Sequence, residues 1–481
     1  MRYISTRHGS QGNPAPLGFE DVMLAGLARD GGLYLPAEWP HFSTAEIASL
    51  KDLSYGELAF RIMRPFVGDA FDEATFRRLI GEAYASFETP EVAPLKMLDD
   101  NGLYLLELFH GPTLAFKDVA LQLLGRMLDH TLDKRGEHAT IVGATSGDTG
   151  SAAIEAVRDR KTIDIFMLHP HGRVSEVQRR QMTTVLAPNV HNIAVRGTFD
   201  DCQDLAKACF NDLAFRDRHA LTAVNSINFA RVMAQIVYYF WAALKVGGPE
   251  QPVAFTVPTG NFGNVYAAHV ARRMGLPIAE LLIGTNRNDI LARFLEDGAM
   301  TIAGVEPSLS PSMDIQVSSN FERLYFELKG RDGAATAAGL KSFRSTGTLP
   351  TSDTEWREVR ALFSAVRIDD NATLTEIATT YRTTGELLDP HSAVAVAAAK
   401  GARRDNAAPM VALASAHPAK FPDAVERATG IRPPLPMRMA DLYDRPERIS
   451  VLPSDLAAVQ RFIAERARPA VSPAGVAGGV V

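Results

Sequence analysis

Val253-Ala254-Phe255-Thr256-Val257-Pro258-Thr259-Gly260-Asn261-Phe262-Gly263-Asn264 is an apolar run that breaks into a loop of glycine and asparagine. A helical pattern follows from about Val265. Glycine and asparagine tolerate positive φ, so successive N–H groups of such a loop can turn inward as a nest for an anion. The next helix adds unsatisfied donors and the positive end of its dipole, which suits a phosphate. An ordinary strand–helix turn looks the same in isolation, so the loop's chemistry rests on its company.

The same grammar extends in both directions. Apolar runs at 103–106, 141–144, 163–168, 190–195, 253–257, 281–284 and 410–414 read as strands. Helical patterns intervene, as at 151–158, 174–185 and 229–246. This alternation predicts an α/β protein with largely parallel sheets and ligands at the carboxyl ends of strands. The first 95 residues are mostly helical patterns (53–63, 71–87) closed by a linker at 89–94, and read as an N-terminal domain. Residues 96–468 read as the core, with a smaller α/β subdomain over roughly 120–230 and a helical insertion over roughly 331–370. The Pro/Ala/Gly/Val-rich 469–481 reads as a disordered tail.

His110-Gly111-Pro112-Thr113-Leu114-Ala115-Phe116-Lys117-Asp118 places a lysine after a Gly-Pro-Thr turn. Val119, Leu123, Leu124, Met127, Leu128 and Leu132 then follow at helical spacing. A lysine flanked by Leu114, Ala115 and Phe116 is placed for partial burial, which lowers an amine's pKa. A neutral amine is what a Schiff base requires. The plainer reading is a lysine with its stem on the core and its ammonium in water.

Three further segments decide between these readings. Ala144-Thr145-Ser146-Gly147-Asp148-Thr149-Gly150 joins a strand to a helix with three hydroxyls and two glycines. It suits an anionic substrate group, or simple N-capping, and lacks the G-x-G-x-x-G pattern of a dinucleotide site. Asn228 and Arg231 share a face at the start of another helix, where an amide and a guanidinium can converge on an anion. A capping Asn and a surface Arg would look alike. Ser415 follows the run 410–414, where its hydroxyl can meet a cofactor ring nitrogen or cap the turn. Lysine, phosphate nest and second anion site together fit pyridoxal 5′-phosphate (PLP).

Bulk properties agree. The chain has 481 residues, 46% of them hydrophobic and 22% charged, with a formal net charge of -6. Two or three domains are expected, with no basic stripe for nucleic acid and no membrane span. The N-terminal segment has no hydrophobic signal region, so a cytoplasmic enzyme is expected. Cys202 and Cys209 would lie about 10.5 Å apart on one helix, too far for a disulfide. No metal cluster is evident.

The segments 3–7, 110–118, 144–150, 225–231, 260–264, 312–315, 319–323, 389–394 and 417–421 strongly resemble threonine synthase, in the longer subgroup of that PLP-dependent family. The resemblance spans nearly the whole chain in family order. It implies PLP fold type II (tryptophan synthase β-like), with parallel-sheet large and small domains and an N-terminal, mostly helical domain. The implied reaction converts O-phospho-L-homoserine and water to L-threonine and phosphate, by a monomer or homodimer. Lys117 would hold PLP as a Schiff base and, once displaced, serve as the base. Gly260, Asn261, Phe262, Gly263 and Asn264 would cradle the cofactor phosphate, and Ser415 would stand where the family usually has threonine beside the pyridine nitrogen. Thr145, Ser146, Thr149, Asn228 and Arg231 are candidates for the substrate's phosphate and carboxylate. A serine or threonine dehydratase would share the lysine and the nest but would need no second phosphate site. A catalytically silent homologue would have lost one or the other.

Overall fold

The seven apolar runs all form strands, at Leu103–Glu107, Ala139–Ala144, Ile163–Pro170, Val190–Arg196, Val253–Pro258, Ile278–Thr285 and Met410–Ala414. Most are buried along nearly their whole length, which is why they read as continuous rather than alternating apolar stretches. The structure, a computed structural model, describes residues 1–9, 15–405 and 407–468. The tail expected at 469–481 lies outside the described residues. The chain forms two compact units: Met1–Ala120 with Ser226–Leu435, and Leu121–Asn225 with the residues from Pro436 onward.

The larger unit holds a sheet in the order Phe363–Arg367, Ile278–Thr285, Val253–Pro258, Met410–Ala414, Leu103–Glu107, Leu95–Met97. All neighbours are parallel except the last pair. Residues 331–370, read as helical, contribute helices Gly333–Thr346 and Asp353–Leu362 but finish in the edge strand Phe363–Arg367. That strand is mostly half-exposed and carries little apolar signal, as edge strands often do. Helix Phe229–Lys245 is buried all round. N-terminal residues cover part of it, with Tyr3 against Phe229 and Tyr55 against Trp241 at ring distances of 5.4 and 5.5 Å. The N-terminal 95 residues therefore share the larger unit's core.

The smaller unit has the parallel order Ser450–Pro453, Val190–Arg196, Ile163–Pro170, Ala139–Ala144, Leu221–Thr222. Its range 121–225 lies close to the 120–230 read from sequence. The segment from Pro436 on adds an edge strand and helix Leu456–Ala464. Cys202 and Cys209 lie on one face of helix Phe199–Asn211, in a core with Phe166, Val195, Val459 and Ile463. Burial pushes their thiols up to about 12 and about 11, so they are packing residues rather than nucleophiles.

The returning segment is tied down by Arg468, whose guanidinium donates to both carboxylate oxygens of Asp164 (Nε–Oδ1 3.0 Å, Nη2–Oδ1 2.8 Å, Nε–Oδ2 3.2 Å). His138 lies 3.0 Å from the same carboxylate. Burial alone would raise the pKa of Asp164, but hydrogen bonds from His138 and Arg468 outweigh it and hold the group at about 2. A folded-state pKa below the unfolded value stabilises the fold above the unfolded pKa, and that stability is lost as pH falls through the folded one. Arg468→Ala is therefore expected to cost about 1–3 kcal/mol at neutral pH. The gap from wild type should close between about pH 4 and pH 2, measured by urea unfolding at several pH values.

Candidate active site

Lys117 opens helix Lys117–Arg135, and the buried apolar residues predicted behind it are all buried. The turn before it is fixed by Asp118. This fully buried carboxylate accepts the Thr113 N–H at 2.8 Å and the Thr113 hydroxyl at 2.7 Å. Burial raises its pKa, against the opposing effect of the Thr113 bonds. Gly111 is required beside it, because a Cβ there would stand 2.4 Å from the Asp118 Cβ. Lys117 is itself 7% exposed, its Nζ 4.9 Å from the Phe116 ring centre.

The residues before Lys117 pair with the far end of the chain. Phe116 N–H donates to the Ser415 carbonyl at 2.8 Å, His417 N–H donates to the Leu114 carbonyl at 3.0 Å, and Ala115 and Ala416 form an antiparallel bridge. Ser415 thus stands beside Lys117 at the carboxyl end of strand Met410–Ala414. Its backbone is bonded on both sides, while its hydroxyl is bonded to no described residue.

The loop 260–264 has the form of a nest. Phe262 adopts the left-handed conformation (φ 64°) and helix Gly263–Arg273 starts immediately after it. Carbonyls point to one side and are held there: Ser318 Oγ donates to Gly260 O at 2.6 Å, and Asn320 donates to Asn261 O from both backbone and side chain at 3.1 Å. The N–H groups of Gly260, Asn261 and Phe262 donate to no described residue, and the first N–H groups of the helix lack intrahelical partners. A Cβ on Gly260 would come within 2.9 Å of the Ser312 carbonyl, so only glycine lets the backbone lie there. Asn264 completes the loop. Its Oδ1 accepts hydroxyl protons from the buried Tyr238 and Tyr239, the latter at 2.7 Å. With Oδ1 an acceptor, the amide nitrogen is assigned, and its two protons have no described partner. These features fit a phosphate, and with Lys117 and the Ser415 hydroxyl they fit PLP.

Asn320 also donates to the Ser226 carbonyl at 3.2 Å, joining the nest to the 226–231 segment. The fully buried Arg323 spans the same region, donating to Asn320 Oδ1, to Ile227 O and, at 2.9 Å, to Tyr34 O. Asn228 caps helix Phe229–Lys245 through its Oδ1 (3.1 Å from Ala230 N) and donates its amide to Met23 O at 2.8 Å. Both ends of its side chain are thus engaged within the protein, as the capping reading had it. Arg231 differs: it is 3% exposed, yet its Nε and Nη1 find no hydrogen-bond partner among the described residues. Burial pushes this guanidinium down to about 10. A buried cation with idle donors has the chemistry to hold an anion.

In the smaller unit, Thr145 Oγ1 accepts the Gly147 and Gly150 N–H groups, each at 2.9 Å, and so shapes the loop from inside. Helix Asp148–Val157 begins three residues earlier than read from sequence. Ser146 is exposed and Thr149 half-buried, and neither hydroxyl is bonded to a described residue. Sequence reading missed the supporting residues Tyr238, Tyr239, Asn320 and Arg323. Of these, Asn320 and Arg323 lie within segments carrying the family resemblance, whereas the tyrosines read only as core.

Removing the Asn264 amide (Asn264→Ala) is expected to raise the PLP dissociation constant about 10- to 100-fold, the worth of one charge-assisted hydrogen bond. Equilibrium titration of the apoprotein, followed by the cofactor's visible absorbance, measures this.

Comparison with known proteins identifies the family. Residues 2–84 match the family described as threonine synthase N terminus, 87–416 that of pyridoxal-phosphate dependent enzymes, and 392–463 threonine synthase, C-terminal. The threonine synthase of Pseudomonas aeruginosa is 57% identical over 466 residues, covering 97% of this chain and 98% of that protein. The crystal structure of PLP-bound threonine synthase from Brucella melitensis superposes with a TM-score of 0.94 at 52% identity, covering 97% of this chain and 100% of that one. Yeast threonine synthase gives 0.91 at 37% identity, over 97% and 98% of the two chains. With matches over nearly the whole chain, it belongs to the threonine synthase family of PLP-dependent enzymes.

Proposed function

We propose that this chain converts O-phospho-L-homoserine and water to L-threonine and inorganic phosphate, with Lys117 as catalytic base and Arg231 as an anion holder. The observation that carries the reading is the unmatched Arg231 guanidinium, present in addition to the cofactor's own phosphate nest. The substrate carries two anionic groups, and the candidate holders are Arg231 and the helix start bearing Ser146 and Thr149. Thr145 and Asn228, whose own groups are engaged, hold the loop and the helix that present these donors. The expected compartment is the cytoplasm, and no described helix is long and apolar enough to cross a membrane.

Bound PLP supplies a sink for negative charge at the substrate's Cα. The phosphate nest, Ser415 and Lys117 are the residues that would hold it, and Lys117 would be released to act as a base when the substrate's amine binds. Lys117 then remains tethered at the start of its helix, where it can accept the proton from Cα, give it up, and accept a second from Cβ. Charge developing at Cβ expels the γ-phosphate, and a preorganised guanidinium stabilises the departing anion without reorganising. Water adds its hydroxyl at Cβ, and the three protons released from Cα, Cβ and water go to Cα by way of Lys117, to Cγ, which becomes the methyl group, and to the departing phosphate.

A time course with purified protein, PLP and O-phospho-L-homoserine should yield threonine and phosphate in equal amounts. Phosphate accompanied by 2-oxobutanoate would instead identify a lyase. Lys117→Ala is expected to lose turnover together with the Schiff-base absorbance. Arg231→Met keeps the volume and removes the charge, so kcat/KM should fall about 10- to 100-fold. The variant's melting temperature should equal or exceed that of wild type, since no partner is left unpaired. Unchanged kinetics would remove Arg231 from the anion site.

A further inference from the structure

The segment Asp389-Pro390-His391-Ser392 has no part in the chemistry above. Asp389 is fully buried and caps helix Pro390–Ala402, accepting the N–H groups of His391 and Ser392, each at 3.0 Å. A cap needs no more than those two bonds. Here the side chains join in as well: His391 Nδ1 lies 2.7 Å from Oδ2, and the Ser392 hydroxyl donates to Oδ1. Four donors fill the carboxylate, and because it only accepts, it dictates the direction of every bond beyond it. Ser392 has given its proton to Asp389, so its oxygen accepts from elsewhere, and it takes the Ser415 N–H at 3.1 Å. His391 donates through Nδ1, so its Nε2 is an acceptor, and it takes the Ser312 N–H at 3.2 Å. The two arms end on Ser415, the candidate partner of the ring nitrogen, and on Ser312, whose carbonyl backs Gly260 of the phosphate nest.

We propose that Asp389 is a positioning residue for the cofactor, one carboxylate that sets the Ser415 hydroxyl through Ser392 and the Gly260 backing through His391. The inference rests on the PLP reading above. Its two arms predict separable effects. Ser392→Ala keeps the cap but frees the Ser415 N–H. It is expected to weaken PLP binding about tenfold, one neutral hydrogen bond's worth, and to shift the holoprotein's visible band while the ³¹P resonance of bound PLP stays in place. His391→Asn keeps a donor for Asp389 and loses the acceptor for Ser312, so the ³¹P resonance should move while the visible band holds. If Ser392 acts through Ser415, the band of Ser392→Ala/Ser415→Ala should match that of Ser415→Ala alone.

Full additivity of those two changes, or wild-type PLP affinity, band and resonance in both folded single variants, would overturn the proposal. Should one single variant fail to fold, the other carries the test through its own arm. Wild-type protein that binds no PLP would instead bring down the functional reading on which the proposal stands.

Discussion

One short pairing underlies the candidate site: residues 114–116 lie antiparallel to 415–417, closed by Phe116 N–H to Ser415 O and His417 N–H to Leu114 O. It joins the start of the lysine helix to the carboxyl end of a central strand. Lys420 reinforces it, donating to the Thr113 carbonyl at 2.7 Å from a fully buried position. Without that pairing, neither Lys117 nor Ser415 would have a defined place relative to the other. With it, their separation is a property of the backbone rather than of side-chain rotamers, which is what a constellation meant to hold one rigid ring requires.

Around that pairing the polar groups divide into those the protein satisfies and those it leaves for a ligand. Asn228, Thr145 and Asp118 are satisfied internally. Arg231, the Asn264 amide, the Ser415 hydroxyl and the 260–262 N–H groups have no described partner. Folded proteins rarely leave buried donors idle. Other buried groups, such as the Tyr55 and Tyr266 hydroxyls, also lack a partner among the described residues, so these donors are informative because they fall in segments that sequence analysis had independently marked.

This division also explains what was legible in the sequence. The strands, the lysine helix and the glycine-rich loop follow from periodicity and backbone preference, which are local, and they fall where expected. Whether a polar side chain is available to a ligand is not local. Asn228 is engaged by the Met23 carbonyl, 205 positions away. The tyrosines orienting Asn264 sit in a helix so apolar that nothing distinguishes them from core. Ser450–Pro453, half-exposed at a sheet edge, lacks the run of apolar residues that revealed the central strands. The family resemblance reached some of these residues because it draws on whole segments, but it gave no account of what Asp389 or Arg323 does there.

The pairing of residues 114–116 with 415–417 has a temporal consequence. Its partners lie some 300 residues apart in the chain, and contacts of such separation form late because the intervening loop must be ordered first. Lys117 therefore leaves the ribosome long before the strand end that will face it. A chain still being synthesised has the amine but not its surroundings, so a cofactor held as proposed would find its complete seat only once the larger unit has folded.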